Sequence, residues 1–451
     1  MNLALEIAKQ TMANTQAAMG VAMNNISNSQ VDGYTRQHVN LTSNISILNG
    51  AHLVGTGAGI TSIDRVRTGF YDKQYRDNLS TYSNSSALTT AYTRIESFFG
   101  SLDGDTGLKT SMNKFFDSLE ELAKNPEKTG IKQVVRDSAT AMIQSFNLVS
   151  NNIATMREQY HSFTEAKVND INATLKNLQI VNDKIGRLSA MGQQPNDLLD
   201  ERDRLIDSLS ANMDISVVYA ENNKVNIISN GQVLVQDGYS SQLKFTANID
   251  NSISITFEDG SNFKSVGGDL IALTQVINET IPAYDAKLDT LAKDFIDGFN
   301  AIHMRGVATN GATGIAFFEG TSAKDIKISD AIMADASLVM SSADGTAGNN
   351  SIVLDLIAFK DSKSVDGGKF GVIEYFDNIA ASISAETSAS KIRTSNYKYI
   401  TDEIYVMRSN EVGGNEDEEI LTSVKLQQTY AAAAKVISTL NDMFSSLISA
   451  F

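Results

Sequence analysis

Hydrophobic residues recur at alternating steps of three and four near both ends of the chain. Near the N-terminus this seam runs through Leu5, Ala8, Met12, Thr15, Met19, Ala22 and Ile26. Near the C-terminus it runs through Leu426, Tyr430, Ala433, Ile437, Leu440, Phe444, Leu447 and Phe451. Such heptad spacing is typical of helices that pack side by side. We therefore predict a coiled-coil helix at each end, the second continuing to residue 451.

The small residues in these seams predict how the ends behave. Isolated helices of about 25 residues are marginal in water, so each terminal helix needs partners. Packing of one helix on an ordinary core would produce a similar stripe, and this alternative stays open for each helix taken alone. Two such helices at opposite ends favour pairing with each other and with neighbouring copies. We predict termini that are disordered in the monomer and ordered in an assembly.

Helical spacing also dominates the middle of the chain. No proline lies between residues 127 and 191, which predicts one or two very long helices, up to about 90 Å at 1.5 Å per residue. Further helices are predicted over 70–99, 108–124, 196–211, 269–303 and 370–407. Together these segments predict an elongated helical bundle.

The period of the pattern changes to two between residues 215 and 266. Alternating segments around 225–228, 232–235, 243–246 and 252–257 are separated by Asn-Asn, Asn-Gly and Asp-Gly pairs. Such pairs favour tight turns, so we predict the hairpins of a small antiparallel β domain. A second irregular stretch, about 305–368, is rich in Gly, Ser, Ala and Asp and is expected to add short strands to that domain.

The predicted fold class is mainly α with a β insertion, and a length of 451 residues favours two or three domains. Residues 1–45 with 416–451 would form the paired terminal helices. Residues 46–212, 269–304 and 369–415 would form the elongated bundle, and 213–268 with about 305–368 the outer β domain. This nested order brings both termini to one end of the molecule.

Composition narrows the possible functions. The net charge of −16 would repel phosphate backbones, so nucleic acid is not an expected partner. No apolar run reaches the roughly 18 residues of a membrane-spanning helix, so no membrane insertion is expected. Cysteine is absent, which excludes disulfides and thiolate sites. The first residues lack the features of a classical secretory signal, so the protein stays in the cytoplasm or leaves by another route.

Candidate catalytic and metal-binding groups lack the required spacing. The four histidines, His38, His52, His161 and His303, have no HExxH partner, so solvated or packing roles are expected. The stretch 103–107 begins like a calcium loop, but Gly107 and Leu108 stand where an oxygen ligand and a glycine are needed. No phosphate-binding loop or nucleophile elbow is present in the sequence. We therefore expect no enzyme, no catalytic residue, no metal and no cofactor.

Two charge runs remain to be interpreted. Asp200-Glu201-Arg202-Asp203-Arg204 is interpreted as a solvated helix face, where an Asp200–Arg204 pair contributes a few tenths of a kcal/mol. The run Glu416-Asp417-Glu418-Glu419 lies at the predicted start of the last helix, where carboxylates favour the positive end of the helix dipole. A basic neighbour facing this acidic patch is an open alternative.

A motif follows the first predicted helix. It consists of Asn24-Asn25-Ile26-Ser27-Asn28 and then Gly33-Tyr34-Thr35-Arg36-Gln37. Asn and Ser compete with helical hydrogen bonds, so the chain is expected to leave the helix here and become extended. The motif resembles the N-terminal signature of bacterial flagellar axial proteins, the rod, hook and hook-associated group. Its second half is most similar to the hook-associated proteins that join hook to filament.

Three further stretches support this resemblance. They are Asn-Asp-Leu-Leu-Asp-Glu-Arg-Asp at 196–203, Phe-Asn-Ala-Ile-His at 299–303 with Gly306 and Phe317-Phe318 downstream, and 427–438. The resemblance covers roughly 1–210, 270–320 and 416–451. The chain departs from the family pattern at 411–419, where a Gly-Val-containing run is usual, and a short variable middle implies that outer domains are missing or reduced.

The resemblance implies a structural subunit of the bacterial flagellum. Such a subunit would be exported by the type III route without a cleaved leader, with the help of a chaperone. It would polymerise with copies of itself in a ring or helical layer, between hook protein on one side and the next hook-associated protein on the other. The seam residues would carry this assembly.

Two alternatives remain open. The nearer is another axial protein, the distal rod, hook or third hook-associated subunit, although the central long helices and the run at 198–203 argue for the junction protein. The farther is a secreted hydrolase on an axial scaffold. That alternative requires a compact catalytic insert, and the roughly 50-residue β segment offers no nucleophile and base set.

Overall fold

The computed structural model describes residues 2–31, 33–49, 52–100, 107–412 and 416–449. The predictions made for Phe451 and for the stretch 103–106 therefore lie outside the described residues.

Helices form most of the described chain. They are α1 (Asn2–Asn28), α2 (Gly69–Phe99), α3 (Leu108–Lys124), α4 (Thr129–Ala190), α5 (Asn196–Asn212), α6 (Asp269–Gln275), α7 (Ile281–His303), α8 (Asp330–Ala334), α9 (Ser351–Phe359), α10 (Val372–Val412) and α11 (Glu416–Ser449). A π-helical turn, Val276–Thr280, joins α6 to α7. The proline-free stretch forms one unbroken helix, α4, of 62 residues and about 93 Å. The predicted fold class is confirmed.

Short antiparallel strands complete the fold. They are β1 (Gln37–Ser43), β2 (Ile47–Asn49), β3 (His52–Val54), β4 (Ala58–Arg65), β5 (Ser216–Tyr219), β6 (Val225–Ser229), β7 (Gln232–Gln236), β8 (Tyr239–Ser240), β9 (Leu243–Ala247), β10 (Ile253–Phe257), β11 (Phe318–Glu319) and β12 (Lys327–Ile328). Strands β5 to β8 form one sheet in chain order, and β9 pairs with β10. Asn230 and Gly231 take positive φ values of 44° and 83° between β6 and β7, as the Asn-Gly pair predicted.

Two large apolar clusters stabilise the helical body, which we define as α2 to α10 with their connecting segments. A small third cluster contains Val181, Ile185 and Leu199. The first cluster contains α3, α7, α9 and the first half of α4, and its centre is a group of phenylalanines. Phe115, Phe295 and Phe318 lie there, with ring centroids 5.2 Å apart for Phe295 and Phe318. The second cluster joins the second half of α4 and α5 to the strands β6, β7, β9 and β10.

The segment 305–368 packs differently from the expectation. Its buried residues, including Phe317, Val353 and Leu356, belong to the first cluster with α3 and α7. The strands of 213–268 belong mainly to the second cluster. The apolar residues of 305–368 pack against α3 and α7, and we therefore propose that this segment belongs with these helices and not with the strands of 213–268.

His303, at the end of α7, is a packing residue of the first cluster. The backbone N–H of Met340 donates to its Nε2 at 2.9 Å, so Nδ1 carries the proton and donates to the carbonyl of Ile315 at 2.8 Å. Burial lowers the pKa of His303 to about 4, although the bond to Ile315 opposes this shift. The imidazole is therefore neutral at pH 7.

Within the described ranges, no helix is both long and apolar enough to cross a bilayer. The same residues contain no group of three or more carboxylates or histidines arranged to hold a metal ion.

Candidate functional site: the root of the terminal helix pair

The helices α1 and α11 pack against each other in antiparallel orientation. On α1 the small seam residues Ala8, Thr15 and Ala22 are buried. The larger seam residues of both helices are only half-buried, namely Leu5, Met12, Met19, Ile26, Leu426, Tyr430, Ile437 and Leu440. Ala433 is buried, whereas Phe444 and Leu447 are exposed. The predicted seams thus face each other, and their role in assembly stays a prediction.

The motif residues, 24–28 and 33–37, form the joint between this helix pair and the helical body. We call this joint the root. Asn25 is buried and holds the start of β1 in both directions. Its Nδ2 donates to the Gln37 carbonyl at 3.0 Å, and its Oδ1 accepts from the Gln37 N–H at 2.9 Å. Asn28 donates to the Asn24 carbonyl at 2.9 Å. These hydrogen bonds of the asparagine side chains set the direction in which the chain leaves α1.

Gly33 makes the turn of the root possible. Its φ of +74° lies in the left-handed region that L side chains rarely adopt. A Cβ at this position would lie 2.6 Å from Cγ of Arg204 on α5. Glycine is therefore favoured both by the backbone conformation and by the close approach of α5.

Tyr34 follows the turn and points back to α1. Its hydroxyl donates to Oδ1 of Asn25 at 2.8 Å and accepts from Nδ2 of Asn24 at 3.3 Å. Burial, reinforced by Asp200 and other carboxylates, raises the pKa of Tyr34 to about 12. The side chain therefore stays protonated and keeps its role as a donor.

Arg36 links the root to both C-terminal helices. Its backbone N–H donates to the carbonyl of Val412, the last residue of α10, at 3.1 Å. Its guanidinium lies 2.6 Å from Glu419 and 3.4 Å from Glu418 on α11. Ser29 donates to Glu416 at 2.6 Å. The acidic run at the start of α11 thus has a basic neighbour, the alternative that the sequence left open.

The interpretation of the charge run on α5 as a solvated face is wrong. Asp200, Arg202 and Asp203 are each only 3% exposed. Asp200 pairs with Arg65 at 2.6 Å instead of with Arg204, which is exposed. Sequence reasoning failed because Arg65, Arg67 and Arg76, which pair with these carboxylates, lie more than 100 residues away in the chain.

A buried ionic cluster, five arginines and four aspartates, connects β4, α2, α5 and α10 below the root. Its members are Arg65, Arg67, Arg76, Arg202, Arg408, Asp72, Asp200, Asp203 and Asp207. On α5, Asp200, Asp203 and Asp207 share one helix face. The cluster reaches the motif itself, because the Thr35 N–H donates to Asp200 at 3.1 Å.

Asp203 lies at the centre of this cluster. Burial would raise its pKa, but Arg67, Arg202, Arg65 and Arg76 outweigh burial and hold the pKa well below its usual range. Removal of one partner from such a buried set leaves uncompensated charge, which costs several kcal/mol. The cluster therefore fixes the root on the helical body.

A cleft of about 290 Å³ lies beside the root, between the turn and α2, α5 and α10. Its lining includes Tyr34, Tyr75, Arg204, Asp207 and Arg408. Arg408 stacks over the ring of Tyr75 at 4.8 Å and pairs with Asp207 at 2.6 Å. The polar groups of the cleft thus pair with one another and link α10 to α2 and α5 beside the root.

The sequence matches a known family over half of its length. The family described as "Flagellar hook-associated protein FlgK helical domain" matches residues 92–318. The chain belongs to the FlgK hook-associated family. The resemblance inferred from the motif is thereby confirmed, and the matched FlgK segment contains most of the helical body.

Individual relatives agree with this assignment. The chain is 28% identical to "Flagellar hook-associated protein 1" of Bacillus subtilis (strain 168), over 99% of this chain and 97% of that protein. It is 30% identical to the protein of the same name from Escherichia coli (strain K12), over 67% of this chain and 57% of that protein. "The structure of the flagellar hook junction protein FlgK from Burkholderia pseudomallei" matches with a TM-score of 0.65 and 13% identity, over 74% of this chain and 99% of that one. This structural match shows a shared FlgK fold.

Proposed function

We propose that this FlgK-family chain is a structural subunit of the bacterial flagellum that forms the junction between hook and filament. The terminal helix pair carries this proposal. Its large apolar seam residues stay half-exposed even after α1 and α11 have paired. Further helices from neighbouring copies can bury them, which stabilises the pair by mass action.

Charge supports self-assembly through this pair. Residues 10–31 contain no Asp, Glu, Lys or Arg, and residues 426–449 contain only Lys435 and Asp442, in a chain of net charge −16. Copies of an acidic protein repel one another, so an interface between copies is favoured where charge is absent. The terminal helices provide such a surface along most of their length.

The export route of the subunit and its neighbours in the flagellum are also part of the proposal. We infer export with the help of a chaperone, and assembly as a ring or helical layer. Hook protein would lie on one side of this layer and the next hook-associated protein on the other. The subunit would act by contact alone, with no reaction catalysed.

A fluorescent label on the protein in swimming cells tests the location. We expect a single spot at the base of each filament, at the hook end. Label distributed along the filament would contradict a junction and favour a filament or hook role.

A pair of matched variants tests the seam. Ile437→Asp with Leu440→Asp places charge on the half-buried seam of α11, whereas Ser438→Asp with Asn441→Asp places the same charge on exposed positions one residue later. We expect the first variant to lose incorporation into flagella at least tenfold and the second to retain it. Deletion of the last 20 or so residues should abolish incorporation and leave the helical body folded by circular dichroism. Normal incorporation of the deletion variant would contradict the proposal.

A further inference from the structure

The strands β1 to β4 form an arm, residues 37–49 and 52–65, that runs back along α1. Its base is fixed at Asn25, which holds Gln37. Farther along, Nδ2 of Asn14 donates to the Ala58 carbonyl at 2.6 Å. Gly57 lies beside Ile7, since a Cβ on this glycine would be 3.4 Å from Cγ2 of Ile7. The tip of the arm therefore begins beside the second turn of α1.

The tip of the arm exposes large apolar side chains. Ile45 is 90% exposed, Leu48 72% and Leu53 75%, and Ile47 is also exposed. Burial of these side chains against a partner removes apolar area from water and so stabilises an interface. A two-stranded hairpin is marginal by itself in water, so this tip gains stability from a surface that covers it.

A second exposed apolar surface lies at the same end of the molecule. Because Ser29 contacts Glu416 and the helices are antiparallel, the last turns of α11 lie near the first turn of α1. There Met443, Leu447 and Ile448 are exposed, together with Phe444. We call these four residues the outer end of α11. Phe444 and Leu447 continue the seam but are exposed, whereas Ile437 is half-buried.

The charge pattern identifies the kind of partner that fits the arm. Residues 39–63 contain no Asp, Glu, Lys or Arg, and residues 436–449 contain only Asp442. On a chain of net charge −16, these two surfaces are the ones on which another copy meets least repulsion. Both are apolar and lie at one level along the terminal helix pair.

We propose that the arm tip of one copy packs on the outer end of α11 of a neighbouring copy. The contact joins two different surfaces, so it is heterologous and repeats from copy to copy around a closed ring or along a helical layer. The inference rests on the proposed assembly of copies side by side. It adds that the arm holds neighbouring copies together. We call this contact between the arm tip and the outer end of α11 the clasp.

Single-cysteine chains test this contact directly, because the natural chain contains no cysteine. Leu53→Cys and Ile448→Cys are expressed in the same cells on chains with different epitope tags, and flagella are isolated and oxidised. We expect a disulfide-linked band that carries both tags. With Gln428→Cys, exposed 20 residues earlier on α11, in place of Ile448→Cys, we expect at least tenfold less of this band.

Other outcomes would overturn the inference. Both tags present in isolated flagella without a mixed band would refute the clasp and leave the proposed junction role intact. A band within each Leu53→Cys population alone would indicate contact between two arms. Absence of both chains from the flagella would contradict the junction role itself.

A charge variant gives a readout that is independent of cross-linking. Leu48→Asp places a carboxylate on the arm tip, and Ser46→Asp places one on a neighbouring exposed polar position. We expect Leu48→Asp to reduce incorporation at least tenfold while Ser46→Asp retains it. Equal incorporation of the two variants would refute the clasp.

Discussion

The helical body and the terminal helix pair are both built from long helices, but they bury different side chains. In the body, Phe115, Phe295 and Phe299 are less than 2% exposed. In the pair, the buried seam positions are small, such as Ala8 and Ala22, while larger seam residues remain half-exposed. Long helices in the two regions are thus stabilised by different kinds of packing. The body has a complete core of its own, whereas we propose that neighbouring copies complete the pair.

The largest expected effect concerns the buried ionic cluster of the body. Asp203→Asn removes the carboxylate that four arginines share and leaves the five arginines of the cluster with three aspartates, so buried positive charge is no longer fully compensated. We expect a loss of about 3–5 kcal/mol in the free energy of unfolding, measured by urea denaturation.

Glu201→Gln is the matched control for this variant. Glu201 lies on the same helix but is exposed, so we expect a change within about 0.5 kcal/mol. Equal effects of the two variants would show that the cluster does not fix the root on the body.

The next largest expected effect is a loss of folding stability of the body as the pH falls. The pKa of His303 is lowered to about 4 in the folded protein, against 6.5 for an unperturbed histidine. The unfolded chain therefore binds the proton first, and stability present above pH 6.5 is lost as the pH falls toward 4. This residue accounts for a loss of about 2 kcal/mol between pH 7 and pH 4.5.

Unfolding measurements at both pH values check this expectation. His303→Asn removes the titrating group, so its loss between pH 7 and pH 4.5 should be smaller by that amount. An identical loss in both proteins would contradict a buried neutral imidazole.

The sequence predicted the elements better than the contacts between them. The long proline-free stretch predicted α4, and Asn-Gly and Asp-Gly pairs predicted the hairpins, because these signals act between near neighbours in the chain. Only the start of the arm was expected to be extended. Residues 46–65 were assigned to the helical bundle, and this was wrong, because the strands β2, β3 and β4 lie there. The ionic cluster was missed because the Arg65–Asp200 pair spans 135 residues.

A smaller effect is expected at the joint between the two regions. Gly33→Ala places a Cβ at a φ of +74° and 2.6 Å from the flexible Cγ of Arg204. Arg204 can move, so the main cost is the backbone conformation, about 1–2 kcal/mol in the free energy of unfolding. Gly231→Ala, at a φ of +83° with open space around it, is the control for backbone strain without the close approach. A larger loss in the control would contradict the role of the α5 contact.

The smallest effect separates the pair from the body. Ile437→Ala shortens a half-buried side chain that faces α1 and does not belong to either large apolar cluster of the body. We expect less than about 0.5 kcal/mol in the unfolding of the isolated chain, because the terminal helices of the monomer are predicted to be open. In assembled flagella the same variant should dissociate more readily. Hydrogen exchange provides the measurement, with α1 and α11 unprotected in the free subunit and protected after assembly. If α11 exchanges as slowly as α4 in the free subunit, the pair is stable without neighbours and the contrast between the two regions fails.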